Sequence, residues 1–327
     1  MKAVLARQGQ LQDIKTDKPT ATGYDLLVAV DAVSVNPVDT KVLARAKASG
    51  DEKILGFDAV GTVQAMGDKA TGFSVGDRVW YAGDVTRPGS NAEFQCVDAR
   101  IASLAPKSAS DAQAAAVPLT ALTAWELLFD RLQLESDNSD QVLLVIGAAG
   151  GVGSMLIQLA KHFTNATVVA TASRDESKAW VTELGADVVL DHSEPLSAEL
   201  AAAGLKDVTH VASLTHTDSY FEEVVGMMRP QGRFALIDDP AEPLDINVMK
   251  QKSLSLHWEF MFTRPMFKTK DIAKQGEILQ QVASLIDAGK LRSSLNQTLA
   301  PMDAATLTKA HELIRSQRAV GKVVVTR

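Results

Sequence analysis

Residues 141–163 read QVLLVIGAAGGVGSMLIQLAKHF, and this stretch decides how the chain folds. It opens with an unbroken apolar run from Val142 to Ile146, which is typical of a parallel strand covered on both faces. A glycine-rich turn follows, after which apolar residues recur at helical spacing as far as Phe163. The stretch therefore predicts a strand, a tight turn and a helix.

The glycine-rich turn suits the pyrophosphate of a dinucleotide. Residues without a Cβ let backbone N–H groups at a helix N-terminus approach an anion closely. Ala148 stands where the G-x-G-x-x-G pattern has its first glycine, and a tight turn without a ligand would contain similar glycines. The residues that we predict to bind the cofactor here are Gly147, Gly150, Gly151, Val152 and Gly153.

The residues after this helix complete a unit of three strands and two helices. Thr167–Thr171 is a second apolar strand, and a Ser-x-x-Glu capping pattern begins at Ser173. The helix that it starts is expected to end at Leu184, with Gly185 in the left-handed conformation that follows many helices. A third strand at 187–190 makes half of a doubly wound parallel sheet, which favours a dinucleotide at the turn.

The end of the second predicted strand indicates which nicotinamide cofactor fits. An NAD site places an acidic residue there, whereas an NADP site has small polar and basic groups. The chain reads TASR from Thr171 to Arg174, without a carboxylate, and Arg174 can pair with a 2′-phosphate. The two acids that follow are ordinary partners of a helix dipole. We therefore predict NADPH, with Thr171, Ser173 and Arg174 at its ribose phosphate.

Composition excludes several kinds of partner. The chain has 327 residues, 46% of them hydrophobic, which is enough for two domains. Its net charge of −7 argues against nucleic acid, and Cys96 as the only cysteine excludes an internal disulfide and a thiolate metal cluster. No stretch approaches the length of a membrane span, so we expect a cytoplasmic protein without a membrane partner.

Residues 1–115 have the short strands and Gly/Asp turns of a compact β domain. Five motifs occur in order in this region and after it: Asn36-Pro37-x-Asp39, Gly56-x-Asp58-x-x-Gly61, Gly76-Asp77-Arg78-Val79, Ala115-Ala116-x-Pro118-x-Thr120 and GAAGGVG. Together they resemble the medium-chain dehydrogenase/reductase superfamily, and they fit best its branch of zinc-independent quinone oxidoreductases. The stretch 255–262, SLHWEFMF, resembles a bacterial subgroup often labelled "zinc-binding alcohol dehydrogenase family".

The resemblance covers the whole chain and implies an α/β architecture with two domains. Residues 1–117 and 263–327 would form a GroES-like β domain, and residues 118–262 a Rossmann domain with a doubly wound parallel sheet that binds NADP. The active site would lie in the cleft between them.

The subgroup label mentions zinc, and the sequence shows whether the residues that would bind a zinc ion are present. Zinc alcohol dehydrogenases carry a cysteine near the first turn and a Gly-His-Glu motif. Here residues 34–39 contain no cysteine, and Phe57 stands where the histidine would be. Only Asp58 remains of the ligand set, although a catalytic zinc needs about three protein ligands. We therefore predict no metal.

The resemblance also implies contacts with the cofactor and the substrate. Thr120 would lie near the nicotinamide or its ribose, and His192 at a strand end would touch the cofactor. A threonine there can instead cap a helix, and a histidine there is as often a surface residue. Asn36 and Asp39 would line the substrate side.

The identity of a proton donor stays open, with Tyr81, His257 and solvent as candidates. His257 lies in the segment 253–262, where apolar and polar residues alternate as in a strand with two unlike faces. In the superfamily this is a terminal strand that often pairs across a dimer. An apolar edge strand needs a cover, so we expect a homodimer through 253–262, with packing inside one chain as the alternative.

The implied reaction is hydride transfer from NADPH to a small electrophilic acceptor, a quinone or another electron-poor carbonyl. The cofactor carries the chemistry, and the protein aligns it with the acceptor. Three alternatives stay open: an enone or enoyl reductase, a zinc-dependent alcohol dehydrogenase, and a non-catalytic nucleotide-binding protein that has kept the fold.

Overall fold

The computed structural model describes all 327 residues, which divide into two compact units. Unit 1 consists of Met1–Leu122 and Met261–Arg327, and unit 2 is the single segment Thr123–Phe260. The boundaries therefore lie after Leu122 rather than residue 117, and after Phe260 rather than residue 262. Unit 1 is made from both ends of the chain.

The chain contains sixteen strands, which alternate with helices only in part. The strands are β1 (Lys2–Arg7), β2 (Gln10–Lys15), β3 (Asp25–Val35), β4 (Lys53–Ile54), β5 (Ala59–Met66), β6 (Arg78–Tyr81), β7 (Phe94–Asp98), β8 (Ala102–Leu104), β9 (Val142–Ile146), β10 (Thr167–Thr171), β11 (Val188–Leu190), β12 (Val208–Ser213), β13 (Met228–Leu236), β14 (Ser255–Trp258), β15 (Leu295–Leu299) and β16 (Lys322–Thr326).

The helices are α1 (Pro37–Ser49), α2 (Asp111–Ala115), α3 (Pro118–Trp125), α4 (Gly151–Phe163), α5 (Asp175–Glu183), α6 (Leu196–Ala202), α7 (Thr217–Met227), α8 (Thr263–Phe267), α9 (Lys274–Asp287) and α10 (Ala304–Arg315). A π-helical turn at Glu126–Arg131 continues α3, and short 3₁₀ turns occur at Ala99–Ile101 and Ile246–Lys252.

Unit 2 is built on a six-stranded sheet in the order β11-β10-β9-β12-β13-β14. Every neighbouring pair of strands is parallel, as a doubly wound fold requires. All five residues of β9 are buried, because this strand lies inside the sheet and is covered on both faces. The predicted α/β class and parallel sheet are confirmed.

Unit 1 contains a seven-stranded sheet with the path β15-β16-β3-β5-β6-β8, to which β7 adds by pairing with β3. A three-stranded sheet, β2-β1-β4, lies beside it in the same unit. The last strand, β16, pairs antiparallel with β3, so that Val323 faces Val35. The C-terminal segment thus completes the predicted GroES-like β domain.

A helix, α1, occupies the segment after β3, although Asn-Pro and Asp in residues 34–39 predict a polar turn. Asn36 is its N-cap and Pro37 its first residue, and Asp39 at the third position accepts a hydrogen bond from the Asn36 N–H at 2.8 Å. Asn-Pro and Asp favour turns, but the same residues at this spacing form a capping box with proline at the first position. The turn interpretation was wrong for this reason.

The edge strand β14 is shorter than the alternating pattern over 253–262 suggests. It ends at Trp258, and the chain then leaves the sheet. Trp258 and Phe260 are 55% and 47% exposed, whereas Glu259 between them is buried. The inward residue at this end of the pattern is therefore an acid, and the apolar residues face outward.

The helical residues Asp111–Arg131 are long and apolar enough to cross a bilayer by length and composition alone. This corrects the expectation that no stretch approaches the length of a span. Within the fold, 83% of the most apolar window is buried, which is the environment of a core helix.

Candidate functional site

The glycine turn predicted to bind the cofactor connects β9 to α4 in unit 2. Gly147 has φ 78°, and a Cβ there would lie 2.8 Å from Thr215 Cγ2. A Cβ on Gly153 would lie 2.3 Å from the Ala148 carbonyl oxygen. Packing inside unit 2 therefore requires glycine at both positions, with or without a ligand.

Gly150 differs from these two glycines. It is the N-cap of α4 with φ −73°, and a Cβ there would meet nothing closer than the Gly147 carbonyl at 3.6 Å. No side chain caps α4, so the N–H groups of its first turn, in Gly151, Val152 and Gly153, point out of the helix end. Because the protein's own packing leaves room for a Cβ at Gly150, the turn fits a pyrophosphate held against this helix end.

The residues predicted at the ribose phosphate follow β10. The Thr171 hydroxyl accepts a hydrogen bond from the Gly147 N–H at 3.1 Å, which ties the strand end to the glycine turn. Arg174, and not Ser173, is the N-cap of α5, since its N–H donates to Ser177 Oγ at 3.2 Å. Ser173 is half-buried and Arg174 is exposed, as a contact with a solvent-facing phosphate requires.

Basic side chains gather near this strand end. His192 follows β11 with its Nδ1 3.3 Å from the Tyr220 hydroxyl, and the charges of Arg174, Lys178 and His216 act on it electrostatically. Lys178 also pairs with Asp191 at 2.7 Å. Asp191 acts on His192 with the opposite sign, so basic and acidic side chains are mixed at this end of the sheet, and Lys178 is already paired.

A buried ionic cluster surrounds Asp58 in unit 1. Its Oδ2 accepts hydrogen bonds from Ser34 Oγ at 3.0 Å and Asn36 Nδ2 at 3.3 Å, and its Oδ1 accepts one from the Leu119 N–H at 3.1 Å. The ammonium of Lys322 lies 3.3 Å from Oδ2 and donates to Asn36 Oδ1. Burial raises the pKa of Asp58, and the lysine opposes this shift.

A lysine at the start of a closing strand predicts a solvated side chain, and for Lys322 this prediction is wrong. It is almost fully buried, and its Nζ also donates to the Val35 carbonyl at 3.1 Å. The pairing of β16 with β3 brings it there, because Val323 faces Val35. A lysine in a closing strand gives no sequence signal of burial, since its partners are far away in the chain.

Asp39 links two parts of unit 1. It accepts a hydrogen bond from the Asn36 N–H on one oxygen and from the Gly56 N–H, at 3.0 Å, on the other. Burial raises the pKa of Asp39 to about 7 in spite of these bonds. The structure thus brings Asn36 and Asp39 together with Lys322, and the substrate contacts expected of them stay predictions.

The remaining predicted residues lie in different environments. Thr120 is buried and donates to the Val117 carbonyl at 2.9 Å. Tyr81 is buried in the core of unit 1, its hydroxyl has no hydrogen-bond partner, and burial raises its pKa. His257 on β14 is half-buried, with its Nε2 3.1 Å from Ser255 Oγ, and burial lowers its pKa. Their roles in proton transfer and cofactor contact stay predictions.

A catalytic zinc ion does not fit the residues present. No group of three or more His, Cys, Asp and Glu side chains is placed to hold a metal. Phe57, at the position of the expected histidine, is buried and packs edge-on against Phe262 with ring centroids 5.6 Å apart. Both oxygens of Asp58 are bonded inside its cluster, where the lysine ammonium already supplies a positive charge.

Sequence reasoning missed a second charged cluster, in unit 2. Arg131 Nε lies 2.7 Å from Glu259 Oε2, and burial together with the nearby Glu126 raises the pKa of Glu259. The only signal in the sequence was the interruption of an aromatic run by Glu259. Nothing linked that acid to a residue more than a hundred positions earlier.

Two known families match the chain. The family described as "Zinc-binding dehydrogenase" matches residues 184–325, and the family described as "Alcohol dehydrogenase GroES-like domain" matches residues 22–108. A zinc-type alcohol dehydrogenase-like protein of Staphylococcus aureus is 39% identical over 311 residues, which cover 94% of this chain and 92% of that protein.

Solved structures extend the likeness to the whole fold. A protein from Rhizobium etli described as a zinc-dependent alcohol dehydrogenase is 48% identical, with a TM-score of 0.95 over 100% of this chain and 98% of that one. The quinone oxidoreductase from Coxiella burnetii is 25% identical, with a TM-score of 0.83 over 100% and 99% of the two chains. The chain therefore belongs to the medium-chain dehydrogenase/reductase superfamily of nicotinamide-dependent oxidoreductases.

Proposed function

We propose that the protein is an NADPH-dependent reductase that works without zinc and passes hydride to a quinone or another electron-poor carbonyl. One observation carries this proposal: Asp58, the single remaining zinc-ligand position, is bonded through both oxygens and faces the ammonium of Lys322. Without a Lewis acid to polarise a carbonyl, the acceptor must already be electron-poor. Simple alcohols and ketones would then react slowly.

NADPH supplies the hydride when bound, and the chain's own residues hold and orient it. The uncapped first turn of α4 would bind the pyrophosphate through its N–H groups. Thr171 keeps the glycine turn in place, while Ser173 and Arg174 would contact the 2′-phosphate. The absence of a carboxylate between Thr171 and Arg174 supports NADPH over NADH.

The alternatives differ in the acceptor or the metal. An enone or enoyl reductase would use the same cofactor, with an acceptor that is electron-poor at a carbon atom. A zinc-dependent alcohol dehydrogenase would agree with the names of the two zinc-type relatives, but not with the bonding of Asp58. A nucleotide-binding protein without turnover would bind NADPH but would not transfer its hydride to any of the acceptors.

Turnover on chelator-treated protein tests these alternatives. NADPH and NADH oxidation would be followed side by side with a small quinone, an enone and a simple ketone, together with the zinc content of the protein. We expect oxidation of NADPH by the quinone or the enone, unaffected by chelation. Loss of activity with chelator and its return with zinc would overturn the proposal.

We also propose that the protein is a homodimer through β14. This strand is the edge of the sheet in unit 2, and Trp258 and Phe260 are exposed beside it. A second copy pairing along the edge would satisfy the free backbone groups and cover both rings. Light scattering would report a dimer for the wild type and a lower mass for Trp258→Glu; a wild-type monomer at micromolar concentration would contradict the proposal.

A further inference from the structure

One serine hydroxyl holds the N-terminal end of α4. Ser154 Oγ lies 2.7 Å from the carbonyl oxygen of Gly150, the N-cap of this helix, and the Ser154 N–H bonds to the same oxygen at 2.9 Å. Serine hydroxyls often bond to the carbonyl four residues back in a helix, so this contact alone would be ordinary. Here, however, Ser154 is fully buried and its hydroxyl has a second partner.

The second partner is the indole of Trp180 on α5. Its Nε1 lies 2.9 Å from Ser154 Oγ. An indole N–H can only donate and a carbonyl oxygen can only accept, so the serine oxygen accepts from Trp180 while the serine proton goes to Gly150. The two bonds therefore form a chain with a single direction, from Trp180 through Ser154 to Gly150.

This chain ends on the peptide plane that presents an N–H to the predicted pyrophosphate site. The peptide bond between Gly150 and Gly151 is trans, so its C=O and N–H groups point in opposite directions. Because the Gly150 carbonyl is directed along the helix towards Ser154, the Gly151 N–H is directed out of the helix end. Both glycines are only half-buried, so an anion can reach this N–H group.

The peptide plane needs such a hold because a glycine stands on each side of it. Without a Cβ, the backbone of Gly150 and Gly151 rotates more freely than that of any other residue. The two bonds from Ser154 to the Gly150 carbonyl oppose this rotation. An N–H group that is already oriented binds an anion more tightly than one that must first be ordered.

The same contacts fasten the glycine turn to the segment predicted to hold the 2′-phosphate. Trp180 lies in α5, and the N-cap of α5 is Arg174. At the other end of the turn, the Gly147 N–H donates to the hydroxyl of Thr171, the last residue of β10, at 3.1 Å. Side chains of β10 and α5 therefore support both ends of the turn.

We propose that Trp180 and Ser154 are positioning residues, which orient the Gly151 N–H towards the cofactor pyrophosphate. This inference rests on the NADPH site of the proposed function. The indole acts through the serine hydroxyl and the hydroxyl acts through the Gly150 carbonyl, so neither side chain needs to touch the cofactor. Loss of either hydrogen bond should then have the same effect on binding.

Calorimetric titration of the full chain with three nucleotides tests this role. NADPH and ADP-ribose contain a pyrophosphate, whereas adenosine 2′-monophosphate contains only the phosphate on the ribose. Trp180→Phe keeps a ring and loses the N–H, and Ser154→Ala loses the hydroxyl. Each variant should bind NADPH and ADP-ribose about fivefold more weakly, as for the loss of one hydrogen bond, and should bind adenosine 2′-monophosphate as the wild type does.

Ser284→Ala is the matched control. The Ser284 hydroxyl bonds to the carbonyl four residues back in α9, in unit 1, at 3.0 Å, as Ser154 does in α4. Its removal should change the affinity for none of the three nucleotides. A change that only loosened the fold would weaken all three alike, so an equal loss for adenosine 2′-monophosphate in Trp180→Phe and Ser154→Ala would overturn the proposal.

The double variant distinguishes a chain from two separate effects. Because Trp180 acts through Ser154, Trp180→Phe/Ser154→Ala should bind NADPH no more weakly than Ser154→Ala alone. Losses that multiply in the double variant would overturn the proposal, and so would wild-type affinity for NADPH in both single variants.

The same titrations keep this role apart from the proposed reaction. If the selective losses occur in a protein that reduces no quinone, the positioning role holds and only the reductase activity is refuted. If wild-type protein binds neither NADPH nor ADP-ribose, the cofactor site and the positioning role are refuted together.

Discussion

The ammonium of Lys322 lies 3.3 Å from the carboxylate of Asp58, and both side chains are removed from solvent. These residues come from the two chain segments that form unit 1, and they meet because β16 pairs with β3. The ion pair is held by hydrogen bonds from Ser34, from the Leu119 N–H and from Asn36. Its position explains why the residues of this chain do not fit a metal at Asp58.

Lys322→Met should strongly destabilise unit 1, because the buried Asp58 would lose its counter-charge. Breaking a buried pair from one side typically costs ~3–5 kcal/mol in free energy of unfolding. The double variant Lys322→Met/Asp58→Asn should recover a large part of the loss, since no unpaired charge then remains at Asp58. Urea unfolding of the three proteins measures both effects, and equal midpoints for wild type and Lys322→Met would contradict the role of the pair.

His311 should make the protein sensitive to acid. It is buried in α10, neither ring nitrogen has a hydrogen-bond partner, and burial lowers its pKa to about 4. The unfolded chain, with a histidine pKa near ~6.5, binds a proton that the folded chain excludes, so the free energy of unfolding falls as the pH drops from about 6.5 to 4. The loss attributable to this residue is of order 3 kcal/mol.

Unfolding at several pH values measures this contribution. His311→Leu should flatten the acid side of the stability profile, while His162→Leu, a change at an exposed histidine of α4, should leave the slope as it is. An unchanged slope in the His311 variant would rule out the buried imidazole as the source.

Gly150→Ala and Gly153→Ala should have opposite consequences. The protein has room for a methyl group at Gly150, so the melting temperature of Gly150→Ala should be nearly unchanged. The methyl group would occupy the place of the pyrophosphate, so NADPH affinity should fall about tenfold, which corresponds to the loss of one charge-assisted hydrogen bond. A methyl at Gly153 meets the Ala148 carbonyl at 2.3 Å, so this variant should melt at lower temperature. Fluorescence titration measures the NADPH affinity and thermal melting measures the stability of each variant. Normal NADPH affinity in Gly150→Ala would argue against pyrophosphate binding at this turn.

Arg174→Gln should reduce the preference for NADPH. Loss of a guanidinium next to a phosphate monoester removes a charge-assisted interaction, so NADPH should bind about tenfold more weakly while NADH affinity stays the same. Lys178→Gln is the control, because Lys178 is engaged with Asp191. Titrations at low salt with both nucleotides provide the measurement, and a parallel loss for NADH would show that Arg174 does not read the 2′-phosphate.

Local patterns predicted much of the fold. The apolar run of β9, the glycine turn and the spacing of α4 all appear at the predicted residues, since each depends on contacts within a few residues. The start of α1 was misread because Asn36 and Asp39 favour a turn and a capping box equally well. Helix α5 begins one residue later than predicted, because the N-cap is Arg174 with Ser177 as its partner and not Ser173 with Glu176.

Local sequence patterns do not predict the two charged clusters. Lys322 meets Asp58 through strand pairing between distant segments, and Glu259 meets Arg131 at a turn whose π geometry has no sequence signal. Both clusters depend on the desolvation of charges, which only the packed structure determines. Candidate cofactor residues can be named from the sequence because a phosphate-binding turn needs its glycines next to one another in the chain, and their contacts with a cofactor stay predictions.

The pairing of β16 with β3 also sets an order of events during synthesis. Unit 2 is one uninterrupted segment, so all of its sheet has left the ribosome before the last strand of unit 1 is translated. Until Lys322 emerges, the carboxylate of Asp58 has no cation to face, and the sheet of unit 1 keeps an open edge at β3. In nascent chains that end before residue 322, we therefore expect unit 2 to resist protease and unit 1 to be digested.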